Sequence, residues 1–234
     1  GTLSAGWCGL AVAILAIRPL WKKTKGMHAG KGAARRVTLS RMFSVNSNLF
    51  LRSLLMIAVT LAMTTFGARI GTIALAANTV IMQFFLFFSY FMDGFAFAAE
   101  ALVGRCLGEG SESGMQLTVR ALLRWSVAMA VVFLLIYAAA GVPIANLLTD
   151  AQDVRDAVAS LRIWIVMLPP LTVAAFIFDG IFIGITQVRS MLWSTLAGAS
   201  IFFILCLSTP DGGAFYRENI LWLDFEAYLV ARGS

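Results

Sequence analysis

Seven apolar stretches separated by charged loops leave this chain few ways to fold. In hydrocarbon no water is available to backbone N–H and C=O groups, and runs approaching about 20 apolar residues meet that demand as helices. The sequence therefore predicts an all-α, polytopic transmembrane helix bundle. Composition agrees: 60% of residues are hydrophobic and 13% charged, against roughly 25% charged in a soluble domain. The formal net charge of +6 is concentrated in one loop. A nucleic-acid binder carries its basic residues on a folded polar face, which excludes nucleic acid as a partner here. Membrane lipids, anionic headgroups included, suit that loop.

The stretch Gly71 to Gly108 carries the chemistry. It is long enough to cross a bilayer yet holds Asp93 and Glu100 within its apolar run. These acids are two helical turns apart, so both carboxylates point the same way, and Gln83 and Tyr90 fall on the same stripe. An ionised acid at the bilayer centre costs about 3 kcal/mol even on lenient insertion scales, so such residues face a bundle interior or a wet cavity. The aromatic run from Phe84 to Phe95 wraps around the helix. Phe87, Tyr90 and Phe91 lie closest to the acids and are candidates to hold flat cations. Met56, Met63, Met82 and Met92 read as packing, and Gly94, Ala96, Ala98, Ala99 and Gly104 as close helix contacts.

In chain order, Thr2–Leu20 is a first crossing, followed by Arg18, Trp21, Lys22, Lys23 and Lys25 in the pattern of an interfacial aromatic and cytoplasmic charge. From Lys22 to Arg41 there are seven Lys or Arg and no acid, a cytoplasmic linker. Its GMHAGKG segment fails as a phosphate loop: the glycine spacing is one short, and Gly32 stands where Ser or Thr would hold magnesium. Asn46–Phe66, with Arg52 one turn inside, is the second crossing, and a short FGARIG turn leads to the central stretch. Leu122–Val142 ends near Gly141 and Pro143. A net negative loop with Asp150, Asp153 and Asp156 follows on the outside. Ser160–Ile185 contains Pro169, Pro170, Asp179, Gly180 and Gly184 and is expected to be kinked or locally unwound. Met191–Leu207 is the sixth crossing; Ile220–Val230 begins a seventh that is too short to finish.

Cys8, Cys106 and Cys206 are isolated and read as small buried hydrophobes. No His/Cys/Glu cluster has metal spacing and no nucleophile–base pair is identifiable, so neither a metal site nor an enzyme is expected. The opening apolar segment lacks the pattern of a signal peptide.

YFMDGFAFAAEALVGRCLGEG (Tyr90 to Gly110) and FIFDGIFIGITQVRSM (Phe176 to Met191) closely resemble the multidrug and toxic compound extrusion (MATE) family, in particular its DinF-type branch. NSNLFLRSLL (Asn46 to Leu55) is similar to the seventh helix of that branch. The resemblance implies that residues 1–21 end transmembrane helix six, 22–45 link two lobes, and 46–234 form the carboxyl-terminal six-helix lobe with an incomplete last helix. The chain would then be truncated at both ends, and the amino-terminal lobe of the same chain would be its missing partner. The implied activity is secondary active export of organic, often cationic compounds by antiport with protons or sodium ions, without a cofactor, in the plasma membrane, the inner membrane of a bacterium. A lipid-linked precursor flippase is the alternative; it calls for cavity-facing basic residues, and among the crossings Arg52 is the chief one. The acid that couples transport in the DinF-type branch belongs to the first helix of the absent lobe, so no coupling role is carried over.

The candidate pathway residues are thus Asp93, Glu100, Asp179, Gln83, Tyr90, Phe87, Phe91 and Arg52. For each acid two readings stand. Either it faces a cavity and binds a cation or proton, or it pairs within the bundle to fix packing. Asp179 has a further option, capping a broken helix.

Overall fold

A computed structural model describes Trp7, residues 39–208 and residues 212–233, with side chains from Phe43 onward. The chain divides into two compact units, residues 1–42 and 43–234. The expected crossing at Thr2–Leu20 and most of the basic linker at 22–45 lie outside the described residues. From Leu39 onward the described residues form seven helices: α1 (Leu39–Ile70), α2 (Thr72–Glu109), α3 (Glu112–Leu148), α4 (Gln152–Ser160), α5 (Arg162–Gly184), α6 (Val188–Ser208) and α7 (Ala214–Arg232). Five of these, all but α4 and α7, are long and apolar enough to cross a membrane.

Lipid-compatible helices must satisfy their own polar groups, and α1 shows how. Thr60, Thr64 and Thr65 are exposed, and each hydroxyl donates back to the carbonyl four residues earlier, at 3.0, 3.1 and 2.7 Å. The chain then reverses at Gly71 alone, where α1 gives way to α2, so the expected FGARIG turn is helical up to Ile70. The next reversal needs a left-handed residue. Gly110 (φ 67°) supplies it at the C-terminus of α2, and the Ser111 hydroxyl accepts the Gly114 amide at 3.2 Å to start α3.

Three expectations about helix boundaries are corrected. α3 continues past Pro143 to Leu148. The acidic loop contains a helix of its own, α4, and Arg155 donates to the carbonyls of Asn146 (2.9 Å) and Thr149 (2.8 Å), placing a cation on the open C-terminus of α3. α5 runs through Pro169 and Pro170 as one continuous helix rather than unwinding.

α2, α3 and α5 form the centre. Rings of α2 and α3 interlock edge to face, Phe84 with Tyr137 at 5.1 Å and Phe88 with Phe133 at 5.2 Å, and the Tyr137 hydroxyl donates to the Phe84 carbonyl at 2.9 Å. α5 meets α2 through glycines. A Cβ on Gly180 would stand 2.3 Å from the Ala96 carbonyl oxygen, and one on Gly184 would stand 3.0 Å from that of Glu100. Backbones approach this closely only where side chains are absent. Gly94, expected in such a contact, instead borders open space. Met63 and Met92 are buried in the core, as the packing reading of the methionines requires.

α7 is the unexpected element. It carries Arg217, Glu218, Asp224, Glu226 and Arg232, yet it is packed against α5 and α6. Its polar groups are tied to three other helices. Trp222 donates to Asn78 on α2 at 2.6 Å, Asn219 accepts from Trp164 on α5 at 3.0 Å, and the Ser194 hydroxyl on α6 donates to the Arg232 carbonyl at 2.7 Å.

Candidate ion and substrate pathway

Asp179 sits on α5, one residue before the glycine that closes the α2 contact, and is 8% exposed. Its Oδ2 accepts from Arg52 of α1 and from Arg232 of α7. The helix continues past it, so the capping option for Asp179 is ruled out. Arg232 also lies over the Phe176 ring, 5.9 Å from its centroid. A buried charge persists only when paired, and here one carboxylate compensates two guanidiniums, leaving one positive charge in excess.

A second acid, Asp93, lies within electrostatic range of this group. It is half-buried on α2 and interacts electrostatically with both Arg232 and Asp179. Arg52, Arg232 and Asp179 therefore form an ion triad contributed by three helices, with Asp93 of α2 nearby as a fourth titratable group. Three of the four are buried or nearly so. Asp93 stands at the rim, beside the open space at Gly94.

The remaining candidates separate from this set. Gln83, Phe87 and Tyr90 share a groove of about 370 Å³ between α2 and α3, closed on the far side by Ile136, Tyr137 and Ile144. Phe91 extends its aromatic wall, 5.3 Å from Phe87 and 5.0 Å from Phe133. Tyr90 is 71% exposed and Phe87 55% exposed. Glu100 joins neither group. Its backbone packs on Gly184 while its side chain is exposed, near the Arg105–Glu109 pair that marks the end of α2.

Sequence reasoning missed Arg232, the second cation on Asp179, and the buried acids of α7. Their signal was present, since charges inside an otherwise apolar segment demand partners. Cys206 also proves more than a hydrophobe, its thiol donating to Asp224 at 3.4 Å. Among the described residues no group of three or more His, Cys, Asp or Glu is placed to hold a metal ion.

Five apolar crossings around a buried charge network define an integral membrane protein of the polytopic helical class. The MatE family model matches residues 49–207, and the chain belongs to that family. It is 32% identical over 232 residues to DNA damage-inducible protein F of Escherichia coli (strain K12), covering 99% of this chain and 50% of that protein. Over 161 residues it is 24% identical to Protein DETOXIFICATION 45, chloroplastic, of Arabidopsis thaliana, covering 69% of this chain and 29% of that one. The chain thus spans half or less of the length of these relatives. No solved structure matches it with significance.

Proposed function

We propose that this chain is the carboxyl-terminal lobe of a secondary active efflux transporter that exports organic, often cationic compounds by antiport with protons or sodium ions. In this reading residues 46–234 are the lobe and residues 22–45 the cytoplasmic linker. Residues 1–21 end the preceding helix, and an amino-terminal lobe completes the pathway in the plasma membrane. The observation that carries it is the buried Arg52–Asp179–Arg232 triad with half-buried Asp93 beside it, in a chain of the MatE family.

A half-buried carboxyl group beside an ion triad is suited to exchange. Asp93 cannot hold a proton and pair with a cationic substrate at once, so ion and substrate compete for it, which is the minimum condition for antiport. Each occupancy also changes the field on Arg232 and Asp179, and thereby the attraction of α1 and α7 for α5. The neighbouring aromatic groove offers ring faces to a flat cation, a contact that is worth up to about 2 kcal/mol when desolvated. A transporter of this kind performs no covalent chemistry, and membership of the MatE family supports a protein that is not an enzyme. The flippase alternative receives less support, because both buried guanidiniums are committed to Asp179 rather than free for a phosphate.

The test uses the complete protein in cells lacking their own exporters, with efflux of a cationic dye followed before and after the ion gradient is collapsed. Gradient-dependent efflux is expected. Equal efflux with and without the gradient would remove the antiport reading.

A further inference from the structure

Glu226 lies midway along α7 and is 2% exposed, and neither of its carboxyl oxygens has a hydrogen-bond partner. Among the described residues it is the only acid with both oxygens in that condition. Four other polar side chains of α7 are engaged, Trp222 with Asn78, Asn219 with Trp164, Asp224 with Cys206 and Arg232 with Asp179, whereas one oxygen of Glu218 and the Tyr228 hydroxyl are not. The titratable or charged groups on the helices around α7 are Arg162 and Asp179 on α5, Arg189 and Cys206 on α6, Arg52 and Arg69 on α1, and, on α2, which Trp222 touches, Tyr90, Asp93, Glu100, Arg105, Cys106 and Glu109. None of them, nor Tyr216, Arg217, Glu218, Asp224, Tyr228 or Arg232 of α7 itself, is hydrogen-bonded to a Glu226 oxygen.

Two bare anionic oxygens in such packing carry a desolvation cost that nothing nearby offsets, so the carboxyl is held as the neutral acid. A leucine would fill the same space without that cost. A side chain that is tolerated only with a proton on it, at a position closed to water in this packing, has the properties of a proton carrier.

We propose that Glu226 is a proton-binding site of the lobe, loaded in the closed packing seen here and unloaded when water reaches α7. On opening, the carboxyl O–H bond breaks, its electron pair stays on the carboxylate oxygen and the proton passes to water; on closing the reverse occurs. A bare metal cation fits this position less well, because it needs several oxygen ligands at once. The other α7 acid with an unpartnered oxygen, Glu218, lies about 12 Å down the helix axis. The inference deepens the antiport reading by naming protons as a coupling ion, and it rests on that reading only for its consequence in transport.

Infrared difference spectroscopy of the complete protein in lipid, between alkaline and acidic buffer, reads the site without any transport. In the wild-type protein one protonated-carboxyl band persists at pH values where exposed glutamates are ionised. That band is lost in Glu226→Gln and kept in Glu218→Gln. A Glu226→Gln spectrum identical to wild type overturns the proposal. Should Glu226→Gln fail to insert, Glu226→Asp serves, since a shorter carboxyl in the same place shifts the band and its titration; an unshifted band overturns the proposal equally. In vesicles, Glu226→Gln also lowers the number of protons moved per substrate, and an unchanged ratio contradicts the proposal. A wild-type protein that keeps the band but transports nothing would sink the antiport reading and leave the proton site standing.

Discussion

α1 and α7 grip the same carboxylate from two helices and are built in opposite ways. α1 is apolar and mostly exposed from Phe43 to Ile70, with Val59, Met63 and Gly67 buried. α7 is too polar to count as a candidate crossing, yet Glu218, Asp224, Glu226 and Arg232 are all buried. In water the arrangement would be inverted. In a bilayer, lipid accommodates apolar surface without help, whereas each charge needs a protein partner, so the polar helix is drawn inside and the apolar one is left at the edge. Among the described residues α1 is held by one apolar edge, Val59 and Met63 with Leu55, Phe66 and Ile70, and by the Arg52–Asp179 pair, and α7 by hydrogen bonds to three neighbours.

The largest way to break this contrast is Asp179→Ala, which strands two buried guanidiniums. It is predicted to destabilise the protein by about 3–5 kcal/mol, measured by thermal unfolding of the complete protein in detergent. A change below ~1 kcal/mol would show that solvent, rather than Asp179, compensates the arginines.

Next comes Gly180→Ala. Its new methyl would meet the Ala96 carbonyl, so α2 and α5 must separate, at a predicted cost of about 1–3 kcal/mol in the same assay. Gly94→Ala, on α2 two residues before Ala96 and facing open space, is the control and should not destabilise, with a gain of up to about 1 kcal/mol from helix propensity. Equal effects at the two glycines would contradict the close packing that positions Asp179.

Asp93→Asn is expected to lower transport of cationic compounds about tenfold, the equivalent of ~1.4 kcal/mol, with insertion intact. Glu100→Gln, exposed and outside the network, should leave transport within a factor of about two, less than ~0.5 kcal/mol. Reversed sensitivities would move the working acid to the other end of α2. The smallest effect belongs to the groove. Phe87→Ala should weaken binding of aromatic cations by about two- to fivefold, the value of one exposed ring face, and leave aliphatic cations unaffected.

Much of the helical framework was legible because apolar runs of bilayer length have one structural solution. The boundaries were less so. α4 has only nine residues and a polar composition, which reads as loop until Arg155 is seen capping α3. Pro143, Pro169 and Pro170 read as breaks because proline removes an N–H and crowds the preceding turn, yet all three lie inside continuous helices. Of the site, Arg52, Asp93 and Asp179 stood out as charges in apolar segments, but nothing in their spacing revealed that Asp179 joins α1 to α7. That pairing is a contact between residues 127 apart in the chain, beyond the reach of any local pattern. Arg232 and Glu226 were overlooked because α7 looked like the beginning of another crossing, when its buried charges were the more telling signal.

Gradient-driven substrate flux in vesicles containing the complete protein, compared between wild type and Asp179→Asn, goes most directly to the buried charge network. Asparagine keeps the shape and still accepts hydrogen bonds from Arg52 and Arg232 but carries no charge. Flux should collapse while substrate still binds. Flux equal to wild type would mean that the charges of α1, α2, α5 and α7 hold the bundle together and take no part in moving anything through it.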